Sequence, residues 1–296
     1  GGVLRMGKAD FALTPEDILA YFHSAGAAIS PAQAAAVWES TEGWIAAVYL
    51  ELLHYDNTRG IVSAGQDIYA LMREVVWERL DGEARRLLLL LSPFSCFTRQ
   101  QLLFMAQVKE LPPGGRSALG GMGFIRYDQR QGIYYPHTIL LELLRELFQE
   151  QGETYQKQVW ARAGQWNEAA GDKLCAVECY CRARDFERLY ALDLSDVELN
   201  TAGEGRAAAA VEDMIASCPR DVKLRYPLSL LSLAYELFAA ARHEQFLRLC
   251  GEIEALIPQT AFDRREQDRL LGELALLRSF AAYNDIRRMS EQHQLA

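Results

Sequence analysis

The chain has 296 residues, with 31 lysines and arginines against 40 aspartates and glutamates, and half of its residues are apolar. This composition excludes a disordered chain, and the formal net charge of −9 argues against a surface built mainly to grip nucleic-acid phosphates. Six cysteines are too few for a disulfide-stapled fold, and no stretch approaches the roughly 18 consecutive apolar residues of a membrane helix. We therefore expect a cytoplasmic globular protein of about two domains, with no membrane contact.

Residues 14–62 predict a small bundle of three short helices. Two helix starts share one pattern, Thr14-Pro15-Glu16-Asp17 and Ser30-Pro31-Ala32-Gln33, in which a hydroxyl can cap the helix, proline occupies its first position and an acid or amide its third. Gly26 ends the first of these helices. A third apolar stretch at helical spacing follows Gly43 and begins with Trp44.

Residues 63–150 predict a winged-helix-like domain that begins with helices. Apolar residues recur at helical spacing in three stretches, and Thr98 offers a cap to the last of them. A segment rich in glycine and proline, residues 111–115, is expected to break the chain before one more short helix. The three helical stretches cover about 66–80, 82–91 and 99–108.

One β-hairpin is predicted after these helices. Two aromatic, β-branched runs, Phe124–Tyr127 and Ile133–Tyr135, are joined by a loop that ends in Gly132, which can adopt a positive φ. A strongly apolar helix that includes Leu140 follows and completes the winged-helix-like arrangement.

From residue 151 to the end, the sequence predicts an α-helical repeat (TPR-like) solenoid, and the chain as a whole is expected to be mainly α. The stretch Ala163-Gly164-Gln165-Trp166 has a weak echo in Ala183-Arg184-Asp185-Phe186, with small residues where helices approach and an aromatic residue between them. Prolines separate the later helical stretches. Those stretches cover 207–218, 228–241, 244–257 and 264–280.

The chain lacks the common catalytic motifs. It contains no Gly-x-x-x-x-Gly-Lys-Ser/Thr, no Gly-x-Gly-x-x-Gly, no Gly-x-Ser-x-Gly and no His-Glu-x-x-His. We therefore do not expect this chain alone to be an enzyme, and no catalytic residue is assigned.

His137 is the candidate binding residue, because it follows the hairpin directly and opens an apolar helix. The amides at a helix N-terminus attract anions, so a histidine there could donate a hydrogen bond to a phosphate. From position alone, the simpler interpretation is favoured, namely a histidine that satisfies a nearby carbonyl group.

Three other features have a structural interpretation that we prefer to a functional one. Cys175, Cys179 and Cys181 lack the spacing of a zinc site, so we expect small buried thiols between stacked helices and no metal. The five tryptophans lie on apolar helical faces and are expected in the core. The helix over 99–108 is mostly apolar, so we expect the winged-helix-like domain to pack within the protein and not to read DNA.

Short motifs, taken in their order along the chain, carry a family resemblance. The first five are Leu13-Thr14-Pro15-Glu16-Asp17-Ile18, Thr41-Glu42-Gly43-Trp44-Ile45-Ala46-Ala47, Val76-Trp77-Glu78-Arg79-Leu80-Asp81, Arg86-Leu87-Leu88-Leu89 and Tyr135-Pro136-His137-Thr138-Ile139-Leu140. Together they resemble the MalT-like, LuxR-type large transcriptional activators of the STAND class of signalling ATPases. The stretches at 163–166, 170–172 and 183–186 are similar to the first sensor-arm helices of that family, so the resemblance covers about residues 1 to 193.

This resemblance implies a molecular switch. In such a protein, a P-loop domain holds ADP in a closed monomer, and the winged helix closes over the nucleotide. An inducer on the helical repeats, together with ATP exchange, opens the protein so that it self-associates, and a C-terminal helix-turn-helix then binds promoters. By the resemblance, His137 contacts the phosphate, and Gly43 and Trp44 belong to the lid near the nucleotide.

The resemblance also implies a domain order. Residues 1–13 would be the tail of an ATPase core, 14–62 a helical lid, 63–150 the winged-helix-like domain and 151–296 the helical-repeat arm with the start of a sensor domain. The P-loop domain would precede residue 1 and the DNA-binding domain would follow residue 296. We therefore expect no cofactor in these residues alone, and ADP or ATP in an intact protein that is a slow signalling ATPase.

Two other hypotheses stay open. The chain could be a helical-repeat scaffold for protein–protein interaction without a nucleotide switch. It could also be a metal- or redox-responsive protein that uses the thiols of Cys175, Cys179 and Cys181.

Overall fold

The computed structural model describes residues 12–61, 68–121, 123–192, 194, 206–282 and 285–295. Its architecture is mainly α with one small β-sheet, which confirms the predicted fold class. The chain divides into two compact units, Gly1–Gln151 and Gly152–Ala296. Most of the expected ATPase tail, and the expected boundary at residue 62, lie outside the described residues. No helix in the described part of the chain is long and apolar enough to cross a membrane.

Three helices open the first unit, and the two with cap signals begin as the sequence predicts. In α1 (Pro15–Ser24) and α2 (Pro31–Thr41), the hydroxyls of Thr14 and Ser30 each accept a hydrogen bond from the third helical amide, and the third side chain accepts one in return. The third helix, α3 (Ile45–Thr58), follows Trp44. The three helices share one core, which includes Ile18, Phe22, Ala34, Val37, Val48 and Leu52.

Five helices continue the first unit. They are α4 (Ile68–Val75), α5 (Gly82–Leu89), α6 (Arg99–Ala106), α7 (Pro113–Gly121) and α8 (Thr138–Gln149). Thr98 and Gln101 form the predicted capping box at the start of α6. The apolar face of α8 contacts both α4 and α5, so these two helices pack around α8.

A small antiparallel sheet lies beside these helices. Its strands are β1 (Phe97–Thr98), β2 (Ile125–Asp128) and β3 (Ile133–Pro136), in the order β1-β3-β2. The hairpin of β2 and β3 confirms the sequence prediction, and Gly132 has the expected positive φ of 69°. Phe97 and Tyr127 both pair with Tyr134, and the ring centroids are 5.2 Å and 4.5 Å from that of Tyr134.

Three local features of the first unit differ from the prediction. A third strand, β1, joins the hairpin, and a strand of two residues is too short to show an alternating pattern. The helix expected over 66–80 ends at Val75 and is followed by a 3₁₀ turn at Trp77–Arg79. Helix α7 begins at Pro113, inside the expected break, because proline is tolerated in the first turn of a helix.

The described part of the second unit consists of helices and turns. The helices are α9 (Glu153–Ala169), α10 (Lys173–Ala183), α11 (Phe186–Ala191), α12 (Arg206–Ser217), α13 (Arg220–Arg225), α14 (Pro227–Ala239), α15 (His243–Leu256), α16 (Arg264–Ala281) and α17 (Ile286–Leu295). The four later helices that the sequence predicts are confirmed as α12, α14, α15 and α16. The short helices α11 and α13, and the final helix α17, are additions to the prediction.

The contact between α9 and α10 shows how these helices stack. A Cβ atom on Gly164 would lie 2.5 Å from the ring of Tyr180, so only glycine allows the two helices to approach this closely. Tyr180 is fully buried, and its hydroxyl group donates to the carboxylate of Glu168. The small residue is where the sequence predicts it, but the aromatic side chain that fills the space is Tyr180 and not Trp166.

The prediction that the five tryptophans lie in the core is wrong. Trp38 and Trp44 are 42% and 38% exposed, and the other three are partly exposed. Trp77 and Trp160 have the guanidinium groups of Arg85 and Arg182 over their rings, at 5.8 Å and 4.6 Å. Tryptophan is so large that it is rarely fully buried, so an apolar stripe in the sequence does not decide its depth.

Candidate functional site

His137 begins helix α8 and is exposed. Its Nδ1 atom accepts a long hydrogen bond, 3.4 Å, from the amide of Ile139, so the side chain caps its own helix. Its backbone amide donates to the carbonyl oxygen of Phe124 at 2.7 Å, which ties the start of α8 to the start of β2. Because Nδ1 is an acceptor, the neutral ring carries its proton on Nε2. No described residue accepts a hydrogen bond from Nε2, and His137 is exposed, so a proton on Nε2 is available to an incoming group.

Trp44 lies beside His137. The two ring centroids are 6.2 Å apart and the planes are tilted by 40°. Trp44 is the residue that precedes α3, and no side chain caps that helix. The side chains of the two residues that precede α3 and α8 are therefore in ring contact. Since each helix N-terminus carries a partial positive charge and unsatisfied amides, the contact marks a place that favours an anion.

Gly43 shapes the turn that leads into Trp44. Its φ is 70°, and a Cβ atom there would lie only 2.2 Å from the carbonyl oxygen of Leu13. The amide of Leu13 donates to the carbonyl oxygen of Gly43 at 2.8 Å, so the segment before α1 is held against this turn. Both the positive φ and the close approach require glycine. Gly43 thus supports the position of Trp44 through the backbone.

Two aromatic residues complete the site and were not predicted as part of it. The ring of Phe124 is perpendicular to that of His137, with centroids 6.2 Å apart, and it also contacts Tyr49 of α3 at 5.3 Å. Gly123 has a φ of 68°, and a Cβ atom there would lie 3.0 Å from the Tyr49 hydroxyl. Phe124 therefore joins α3 to α8. The sequence gives only a strand pattern for this residue, which does not indicate its partners.

The three predicted residues thus share one region of the first unit. The structure brings His137 and Trp44 into contact, and Gly43 is the residue next to Trp44. The arrangement offers an imidazole Nε2–H donor, two helix N-termini and an exposed indole face. This combination can bind an anionic group with an attached ring. The assignment of these residues to a nucleotide stays a prediction.

The three cysteines of α10 are buried or partly buried, as expected for residues that pack between helices. Cys179 is buried, and Cys175 and Cys181 are partly buried. Burial raises the pKa of Cys179 to about 11 and that of Cys181 to about 12, so both thiols are neutral at physiological pH. Across the described residues, no group of three or more His, Cys, Asp or Glu side chains is placed to hold a metal ion.

The candidate DNA-reading helix of the sequence analysis, residues 99–108, corresponds to α6. Part of this helix is used for packing. Gln101, Leu102 and Met105 of α6 are buried. The observed order of helices and strands places α7, not α6, directly before the hairpin. In a helix-turn-helix, the second helix of the pair enters the major groove, and in the pair α6–α7 that helix is α7. α7 has the sequence Pro-Gly-Gly-Arg-Ser-Ala-Leu-Gly-Gly, in which Arg116 is the one basic residue.

Comparison with known proteins gives a similarity in fold. No family model matches the chain, and no curated protein matches it. The structure is similar to a solved Signal Transduction ATPase with Numerous Domains (STAND) protein with a tetratricopeptide repeat sensor from Pyrococcus horikoshii, with a TM-score of 0.57 at 16% identity. The similarity covers 96% of this chain and 41% of that chain, so this chain spans less than half the length of its structural neighbour. At this identity, the likeness concerns the fold, and it supports the TPR-like description of the helical arm.

Proposed function

We propose that this chain is the regulatory central portion of a STAND-type switch protein and couples a nucleotide state to signal sensing. The observation that carries this proposal is the ring contact between Trp44 and His137, the residues that precede α3 and α8. A fold shared with a STAND protein supports the same assignment. The finer proposal, from the family resemblance, is a MalT-like transcriptional activator.

In this proposal, the phosphate of ADP held by a preceding P-loop domain lies against His137. The Nε2–H group donates to a phosphate oxygen, while Nδ1 stays bonded to the Ile139 amide and fixes the orientation of the ring. Trp44 and Gly43 belong to the lid over the nucleotide. Loss of ADP, or its exchange for ATP, removes this contact and favours an open, self-associating form. Promoter binding belongs to a helix-turn-helix domain after residue 296.

The inducer is proposed to bind the second unit. This unit has a cavity of about 270 Å³ next to α11, α14 and α16. Aromatic rings of Tyr190, Tyr226 and Phe262 line it, and Arg225 at its rim is paired with Glu187 and Asp221. A cavity with apolar walls and few charged groups suits a small molecule. The intact protein is proposed to be cytoplasmic and to hydrolyse ATP slowly.

The first experiment determines the coding sequence on both sides of this chain. A P-loop upstream and a helix-turn-helix downstream are the expected result. The intact protein is then prepared with His137→Ala. Because a hydrogen bond to a charged group contributes about 1.5–3 kcal/mol, we expect ADP affinity to fall by at least about tenfold. We also expect the population to shift from monomer to oligomer, measured by sedimentation. Unchanged ADP affinity together with an unchanged monomer fraction would overturn the proposal.

Two variants serve as controls for this experiment. His23→Ala removes another histidine of the same unit, whose Nε2 lies 3.1 Å from the carbonyl oxygen of Ile29, and it is expected to leave ADP affinity unchanged. His137→Asp keeps a good helix cap but adds a negative charge at the phosphate position, so it should weaken ADP binding at least as much as His137→Ala. The second variant separates loss of the cap from loss of phosphate binding.

A second candidate function is a helical-repeat scaffold for protein–protein interaction. The observation that favours it is the set of exposed apolar side chains on the second unit, which includes Leu228, Tyr235, Leu247 and Phe262. The absence of both flanking domains from the coding sequence would select this function and exclude the switch.

A further inference from the structure

A second concave surface of the first unit lies between α6, α7 and the β-hairpin. It has a volume of about 510 Å³, which is within the range of small-molecule sites. We call it the wing groove and define it by six lining residues, Arg99, Leu111, Arg116, Leu119, Tyr127 and Tyr134. It shares no lining residue with the cluster of His137, Trp44 and Gly43.

The wing groove is positively charged in an acidic protein. Two guanidinium groups, those of Arg99 and Arg116, line it, and none of its described lining residues is acidic. Neither guanidinium has a hydrogen bond or an ion pair to any described residue. Several other arginines pair with carboxylates, as Arg278 does with Glu254 at 2.8 Å. Two unpaired arginines at one concavity, in a chain of net charge −9, indicate an anionic ligand.

The groove also contains the exposed end of a row of aromatic rings, in which Phe97 stacks on Tyr134 and Tyr127 is tilted by 34° to Tyr134. The rings of Phe97, Tyr134 and Tyr127 follow one another across β1, β3 and β2, with centroid separations of 5.2 Å and 4.5 Å. Phe97 is buried, whereas Tyr127 is on the edge strand and is 48% exposed. A planar ring placed against Tyr127 would extend this row of rings by one member. Exposed tyrosines beside arginines are the usual means of binding a nucleobase with its phosphate.

We propose that the wing groove binds a nucleoside monophosphate. The base stacks on Tyr127, the phosphate receives hydrogen bonds from Arg99 and Arg116, and Leu111 with Leu119 provides the apolar wall. An arginine pair suits a phosphate because each guanidinium can donate two parallel hydrogen bonds to its oxygens. The ring stack supplies the second part of the recognition, so neither phosphate nor nucleoside alone makes all the contacts.

A mononucleotide fits these observations better than a nucleic-acid strand. A strand needs a track of basic residues along its backbone, as well as stacking positions. The wing groove has two arginines, and the protein as a whole is acidic. This ligand is distinct from the nucleotide proposed at His137, because the lining of the wing groove contains none of His137, Trp44 and Gly43.

The test uses the 296-residue chain and isothermal titration calorimetry with AMP and GMP. We expect one of them to bind with one-to-one stoichiometry, and adenosine or guanosine and inorganic phosphate each to bind at least about tenfold more weakly. Arg116→Ala and Tyr127→Ala should each weaken binding at least about tenfold, since each removes one of the two contacts. The two changes are on the surface, and circular dichroism checks that the fold is kept.

Matched controls come from the same hairpin. Arg126 and Tyr135 are cross-strand partners next to Tyr127 and Tyr134 in the strands, so they lie on the other face, where the guanidinium is 4.8 Å from the ring. Arg126→Ala and Tyr135→Ala are expected to bind like the wild type.

Several results would overturn the proposal. They are no binding by either nucleotide, phosphate binding as tightly as the nucleotide, or equal losses in Arg126→Ala and Arg116→Ala. Loss of AMP or GMP binding in His137→Ala would show that the nucleotide binds at the cluster of His137, Trp44 and Gly43 and not in the wing groove. If a single-stranded oligonucleotide binds much more tightly than AMP or GMP, the ligand of the wing groove is a nucleic acid and not a mononucleotide.

Discussion

The two units contain similar helices but place their distinctive side chains at different depths. In the first unit, His137 and Trp44 lie at the starts of helices, and their rings are exposed. In the second unit, three large aromatic side chains, Tyr180, Tyr190 and Phe246, are fully buried. Groups at helix starts can meet a ligand, whereas buried rings stabilise the stacking of neighbouring helices. The difference shows that these two rings at helix starts of the first unit are open to solvent, whereas the three rings on the sides of helices in the second unit serve packing.

The largest expected effect tests the packing half of this comparison. Tyr180→Ala removes a fully buried ring at the α9–α10 contact and leaves a cavity beside Gly164. We expect a loss of about 3–5 kcal/mol in the free energy of unfolding, measured by urea denaturation. The control Tyr235→Ala removes an exposed ring from α14 and should cost less than about 1 kcal/mol. Equal losses in the two variants would contradict the distinction between buried and exposed rings.

The second effect concerns the buried thiols of the second unit. Burial raises the pKa of Cys179 and of Cys250 from 9.0 to about 11. At pH 8, the folded protein then has about 100-fold less thiolate at each position than the unfolded chain. We expect alkylation by iodoacetamide to be slower by about this factor, measured by mass spectrometry of peptides.

The same shift has a consequence for stability. Because the unfolded thiols ionise near pH 9 and the folded ones near pH 11, unfolding is favoured as the pH rises through this interval. Below pH 9 the contribution of these thiols is fully present. A melting temperature that is constant from pH 8 to pH 11 would argue against their burial.

The third effect tests the turn that positions Trp44. Gly43→Ala meets two obstacles, a φ of 70° and a contact of 2.2 Å with the carbonyl oxygen of Leu13. We expect a loss of about 2 kcal/mol or more in the free energy of unfolding. Gly26→Ala is the control, because Gly26 has a φ of 83° but open space around it, so it should lose only about 1 kcal/mol. If Gly43→Ala and Gly26→Ala lower the free energy of unfolding by the same amount, the close approach at Gly43 has no energetic role.

The smallest expected effect tests whether His137, the exposed residue at the start of α8, contributes to stability. His137→Ala removes a cap whose hydrogen bond is 3.4 Å long, so we expect a loss of about 0.5 kcal/mol. Thr98→Ala breaks the capping box of α6 and should lose about 1 kcal/mol. Thermal denaturation of the two variants compares them. A loss above about 2 kcal/mol in His137→Ala would make this residue primarily structural.

Local chemistry explains which parts of the fold could be predicted. The capping boxes at Thr14, Ser30 and Thr98 depend on residues three positions apart, and all three are present as predicted. The hairpin depends on two short strands and on Gly132, so it was also predictable. Helical periodicity identifies the long helices of the second unit for the same reason.

Contacts between distant segments explain what could not be predicted. β1 is defined by its pairing with β3, more than thirty residues away, and not by its own two residues. The contact of His137 with Trp44 joins two helix starts that no local pattern relates. The family resemblance placed both residues near a nucleotide, but it did not indicate Phe124, which lies between α3 and α8. The burial of the five tryptophans also depends on contacts between distant segments, so it could not be predicted from the apolar pattern.

The strand order of the small sheet also bears on how the protein behaves at high concentration. Both edges of the sheet are short, since β1 has two residues and β2 has four. β2 carries Arg126 and Asp128, and charged residues on an edge strand discourage pairing with a strand of another molecule. The sheet is therefore a poor template for strand addition. We expect this region to resist the edge-to-edge aggregation to which exposed β-sheets are prone.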